Sequence, residues 1–135
     1  DTTRGRSENC PYYVALLRQR FSGVDIVQGD ALQFDRLLPA GMPVAAVVSG
    51  IPLLHLHAPQ RRSFIARALA IQPAGGSYAQ LSYSWVPPID PGRDMLMSRT
   101  VVWRNFPPAH IWTFTARPIP VLLPVRRPAL AVLNT

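Results

Sequence analysis

Lysine is absent from this 135-residue chain, and glutamate occurs once, at Glu8. All 14 basic residues are therefore arginine, set against 7 acidic residues for a net charge of +7. A GC-rich genome accounts for arginine in place of lysine. It does not account for the excess charge, which suits a partner rich in phosphate, either nucleic acid or anionic lipid. Cys10 is the one cysteine, so an internal disulfide is excluded, and the usage fits a cytosolic protein. No apolar run is long enough to span a bilayer, and no N-terminal signal pattern is present. Neither a Walker A loop nor a G-x-G-x-x-G appears. The G-x-S-x-G of a hydrolase elbow is not formed at Ser49, because Val47 stands at its first glycine and Ile51 follows Gly50. The chain opens on Asp1 and not on Met, as a fragment or a processed product would.

Hydrophobic residues make up 48% of the chain, enough for one domain with a real core. The centre of the pattern is Val44–Leu54. Val44 to Val48 is a continuous apolar run bounded by Pro43 and Gly50, which predicts a parallel strand buried on both faces. Ser49-Gly50-Ile51-Pro52 then breaks it. Gly50 frees the backbone, and Pro52 holds its own φ and biases Ile51 toward extended geometry. In open α/β sheets ligands bind at the carboxyl ends of strands, so this loop is the first place to look for chemistry.

The remaining elements follow in order. Asp1–Ser7 is polar and reads as a disordered or non-native start. Pro11–Phe21 has helical spacing at Tyr13, Leu16, Leu17 and Phe21, with Gly23 ending it. Val24–Gln28 reads as a short strand. Ala31–Leu38 reads as a short helix with Leu32, Leu37 and Leu38 inward. Pro59–Gln72 reads as a helix burying Phe64, Ile65, Ala68 and Leu69, with Arg61, Arg62 and Arg67 on its polar face. Ser77–Trp85 alternates as a strand. Val86–Arg99 reads as a connection with a short helical piece near Met95. Thr100–Arg104 and His110–Ala116 read as a hairpin. Early alternation predicts parallel crossovers, and the closing hairpin predicts an antiparallel edge. Prolines at 118, 120, 124 and 128 exclude a central strand after Arg117 and predict an extended tail, loose or packed on the body or on a membrane.

A few residues carry possible chemistry. Asp30, at the end of a predicted strand, either accepts a hydrogen bond from an amine such as that of adenine or caps the helix that follows. His55 and His57 have the H-x-H spacing of a metal pair, but no third ligand is evident, so they read as loop histidines. Arg61 and Arg62 near a helix start suit either a phosphate or solvent.

Four stretches together resemble bacterial phospholipid N-methyltransferases, which are related to the rRNA adenine dimethylases. They are Val24–Ala31 (VDIVQGDA), Val47–Leu54 (VVSGIPLL), Ile71–Gly76 (IQPAGG) and Val102–Ala109 (VWRNFPPA). The resemblance spans about Glu8 to Ala116. It implies an α/β, Rossmann-like class I methyltransferase sheet, mostly parallel with an antiparallel terminal hairpin. It also implies S-adenosylmethionine as cofactor and the amine of a phosphatidylethanolamine-like lipid as methyl acceptor. By the same resemblance Asp30 and Ala31 face the adenine and Glu8 holds the ribose hydroxyls. Ser49, Gly50, Ile51 and Pro52 flank the methyl group and the amine, with Tyr83 assisting and the Ser49–Ile51 carbonyls orienting the nitrogen. Ser49 counts on both the cofactor and the catalytic side.

The implied setting is the cytoplasm, peripherally at the inner face of the bacterial membrane, where the charge of +7 favours an anionic leaflet. No metal is implied, and no amphipathic membrane helix is evident. The family's first strand and Gly-rich loop would precede residue 1, and Arg4-Gly5-Arg6-Ser7 is polar where an apolar strand is due. An N-terminally truncated domain is thus expected at 8–116, before a Pro-rich tail at 117–135, and such a sheet would expose two strand edges. Two other functions compete. An rRNA adenine methylase is disfavoured because the loop lacks the Asn and the aromatic that stack a flipped base. The other is an inactive fragment without a cofactor site.

Overall fold

A computed structural model of the chain describes residues 11–117 and 129–134. It has an α/β fold built on a five-stranded mixed sheet. Helix α1 is Pro11–Arg20. A 3-10 turn at Ala31–Gln33 leads into the short α2, Phe34–Leu37. Strand β1 is Val44–Ser49, and α3 is Ala58–Ala70. Strands β2 (Ser77–Ser82), β3 (Met95–Val102), β4 (Ala109–Ala116) and β5 (Ala129–Leu133) complete the set. The strand order is β3-β4-β2-β1-β5. β1 runs parallel to both β2 and β5, while β4 is antiparallel to β2 and to β3.

The core forms where α2 and α3 meet the sheet. Val44 and Val47 of β1, Tyr78 of β2, and Trp112 and Phe114 of β4 are buried with Phe34, Phe64, Ile65 and Ala68. The rings of Phe34, Phe64 and Tyr78 pack edge to face, at 5.3 and 6.0 Å between centroids, the geometry their quadrupoles favour. Arg67 clamps α3 to α2. Its guanidinium donates to Asp35 Oδ1 (3.0 Å) and to the Leu32 carbonyl (2.8 Å), and it lies over both phenylalanine rings. Arg62 donates to the Asp90 carbonyl (2.8 Å) and to Asp94 (3.3 Å). These two arginines are structural ties, not a solvated face.

Several elements depart from the sequence reading, each for a local reason. Val24–Gln28 is irregular, not a strand. Val24 and Val27 stay exposed, and Ile26 is held through its carbonyl by two bonds from Arg18 (3.2 and 3.0 Å). The buried residue of the second helical segment is Phe34, with Leu32, Leu37 and Leu38 only half-buried. β2 stops at Ser82 because serine hydroxyls take over the next amides: Ser84 N–H donates to Ser82 Oγ and Val86 N–H to Ser84 Oγ, both at 3.1 Å. Met95 begins a strand, not a helical piece, since β3 pairs with β4 from Met95↔Ala116 to Val102↔Ala109. The hairpin forms, but its first strand ends at Val102, and Trp103 and Arg104, expected in the strand, belong to the turn. β1 is not buried throughout on both faces as expected: Val44, Val47 and Ser49 are buried, Ala45, Ala46 and Val48 only half-buried, and Leu81 on the neighbouring β2 is exposed.

The C-terminal segment is not all extended tail. Ala129–Leu133 pairs with β1, so the edge of β1 that was expected to be bare is covered. This window follows Pro128 and contains no proline, and it lies at the edge of the sheet, where one side of the strand needs no partner. Asp1–Ser7, Glu8, Cys10 and residues 118–128 lie outside the described residues.

Candidate functional site

β1 brings its loop to the carboxyl end of the three parallel strands, the end at which α/β sheets bind ligands. Ser49 is fully buried, and its hydroxyl accepts from the Ile51 N–H (3.2 Å). Beside it on β2, Tyr78 donates to Gln80 Oε1, and the Tyr78 hydroxyl is also within hydrogen-bond reach of Ser49. Burial pushes the Tyr78 hydroxyl well above the ordinary phenol range; the Ser49 bond opposes this only in part. Gln80 Nε2 donates to the Ile51 carbonyl (2.7 Å) and to the Leu81 carbonyl (2.9 Å). The Ile51 carbonyl also accepts from Leu53 N–H (2.8 Å), so both of its lone pairs are engaged. The Gly50 N–H donates to the Leu133 carbonyl of β5 (2.9 Å). Among the described residues the Gly50 carbonyl accepts no bond and is the loop's free acceptor.

The structure thus fastens Ser49 and Ile51 into one buried network with Tyr78 and Gln80. The sequence reading missed both partners. Their signal was the alternation of Ser77–Ser82, which turns Tyr78 and Gln80 to the same buried face; a glutamine at a core position needs polar company. Pro52 is exposed and opens a 3-10 turn at Leu53–His55. His55 and His57 are exposed and do not share an extended segment: His55 ends that turn, and His57 caps α3 with its N–H on Gln60 Oε1 (3.3 Å). Tyr83 is exposed, just past the end of β2, and borders the β3–β4 turn at Arg104–Pro107.

Asp30 is exposed and caps the 3-10 turn, its Oδ1 accepting from Leu32 N–H (2.9 Å). One oxygen is therefore spent on the cap, and the second remains for an amine. Ala31 is half-buried against the core. In the strand-end loop the N–H groups of Gly50 and Ile51 are already bonded. Asn134 Oδ1 also stands 3.1 Å from where a side chain on Gly50 would begin. Beyond the free carboxylate oxygen of Asp30 the described residues offer S-adenosylmethionine no assembled site, and no reaction step is derived through it. Among them no three His, Cys, Asp or Glu side chains gather as metal ligands, and no helix is long and apolar enough to cross a membrane.

No protein-family model, curated protein or solved structure matches the chain.

Proposed function

We propose that this chain is a methyltransferase-type α/β domain acting on the amine head group of a phospholipid at an anionic membrane surface. The observation that carries the reading is the strand-end loop. A helix-covered parallel strand ends in Ser49-Gly50-Ile51-Pro52, which is fixed from β2 by Gln80 and Tyr78 and whose Gly50 carbonyl, among the described residues, accepts no bond and so suits an amine. Support also comes from the antiparallel β4 lying against the parallel set, and from a carboxylate at Asp30 with one uncommitted oxygen. The resemblance of SGIPLL and WRNFPP to lipid methyltransferases supplies the substrate class. In this reading positioning does most of the work, as suits an in-line transfer to a neutral nitrogen.

A second reading, a domain that binds no methyl donor, is favoured by one observation: Asp30 is exposed and spends one oxygen as the cap of its own 3-10 turn. Calorimetric titration with S-adenosylmethionine separates the two. Binding that Asp30→Ala weakens, and that Asp30→Ser weakens equally while keeping a capping oxygen, supports the first reading. No heat of binding to a folded chain supports the second. Methylation of an adenine-containing RNA, with none of phosphatidylethanolamine vesicles, would assign the substrate to nucleic acid.

A further inference from the structure

The β3–β4 turn and the residues after β2 lie at the same end of the sheet as the Ser49–Pro52 loop. β2 runs parallel to β1, and its last residue, Ser82, pairs with His110 at the start of β4. This end is unusually aromatic and open. Trp103 is 69% exposed, Phe106 102%, Tyr83 59% and Trp85 56%. They form one patch: the Trp85 and Trp103 rings are 6.1 Å apart, and Tyr83 lines a hollow of about 620 Å³ with Arg104, Asn105, Phe106 and Pro107. Beneath it His110 is fully buried, its ring 4.3 Å from that of Trp85. Arg99 lies over the faces of Trp85 and Trp112 at 5.1 and 5.5 Å.

We infer that this patch docks the protein on an anionic phospholipid membrane. Exposed tryptophan and tyrosine are stable where an apolar body meets acyl chains and a polar edge meets head groups. Arginine beside them extends its charge to phosphate while its stem stays with the rings. Segments 81–86 and 99–110 contain Arg99 and Arg104 and no acidic residue, so the patch is complementary in charge to an anionic leaflet. A single-stranded RNA would also stack on the rings. However, the exposed Val86, next to Trp85, offers bases no stacking face, whereas it adds apolar area for an acyl boundary. The inference supplies the methyl-transfer reading with a surface but stands on its own geometry, and its test omits the cofactor.

The test is co-sedimentation of the whole chain with vesicles of phosphatidylcholine, with and without phosphatidylglycerol, read also by tryptophan emission. The chain is expected to partition onto the anionic vesicles, with a blue shift and with weaker binding at high salt. Trp103→Ser with Phe106→Ser is expected to weaken partition by about tenfold or more, since two apolar side chains no longer leave water. Both positions are exposed, so far-ultraviolet dichroism should be unchanged. Arg104→Gln should narrow the preference for anionic over neutral vesicles. No partition onto either vesicle, partition unaltered by the double substitution, or binding of a uridylate oligomer without binding of vesicles would each overturn the inference. Partition without S-adenosylmethionine binding would leave it standing and remove only the methyl-transfer reading.

Discussion

Gln80→Leu tests whether the candidate loop is held by its hydrogen bonds. The side chain is buried, donates at 2.7 Å to Ile51 and 2.9 Å to Leu81, and accepts from Tyr78. Leucine occupies a similar volume, so the substitution removes three bonds with little change in packing. The Ile51 carbonyl keeps the bond from Leu53 N–H and the Tyr78 oxygen keeps Ser49, while the Tyr78 O–H and the Leu81 carbonyl each lose the bond to Gln80. Each lost bond costs its net value, about 0.5–1.5 kcal/mol, and the added apolar burial returns part of that. The expected destabilisation is about 1–2 kcal/mol. Gln80→Ala also leaves a cavity and should cost about 3 kcal/mol in total. With a urea m-value of about 2 kcal/mol/M, the midpoints should fall by roughly 0.5–1 M and 1.5 M. Urea unfolding followed by tryptophan emission measures both. A Gln80→Leu chain as stable as its parent would refute the network as the loop's anchor, and equal losses for Leu and Ala would refute the packing term.

Two further outcomes follow from the same region. Tyr78 has its hydroxyl pushed up by burial, so the folded chain keeps a proton that the unfolded chain releases above about pH 10. Above that pH the unfolded state therefore binds fewer protons, and stability should fall by up to about 1.4 kcal/mol per pH unit. Urea midpoints from pH 9 to 11 should show this decline in the parent and a shallower one in Tyr78→Phe; parallel profiles would sink the argument. Ala131→Pro places a proline in the five-residue β5 and should break its ladder to β1. Amide exchange at Gly50 should then lose protection while Val47, deep in the core, keeps it; equal protection at Gly50 in both chains would mean that Leu133 does not hold that amide.

The fold was legible wherever a local pattern coincided with burial. The apolar run Val44–Val48 was read as an inner strand and forms one, though half-buried at Ala45, Ala46 and Val48, and the 3.6-residue spacing of Phe64, Ile65 and Ala68 set the buried face of α3. Legibility failed where pairing was decided by distant chain. Val24–Gln28 has strand composition but forms no ladder; the place beside β1 is filled instead by Ala129–Leu133, 80 or more positions further on than β1. Nothing local marks the second as the partner and not the first, apart from its freedom from proline.

The candidate site divides along the same line. Ser49–Pro52 was found because a strand end needs only the strand to be recognised. The state of its backbone groups depends on two other strands. Gln80 and Tyr78 arrive from β2, and Leu133 from β5; among them they engage the Ile51 carbonyl, the Ser49 hydroxyl and the Gly50 N–H. Asp30 shows the reverse balance. Ligand and cap were both open from the sequence, and the cap is what its geometry displays, since a carboxylate two residues before an unbonded helical N–H is satisfied locally. A motif therefore located the loop, but what the loop can still bind is set by the neighbours: with the Gly50 amide committed to β5, the Gly50 carbonyl is the acceptor that no described residue engages, and it suits an amine and not an anion.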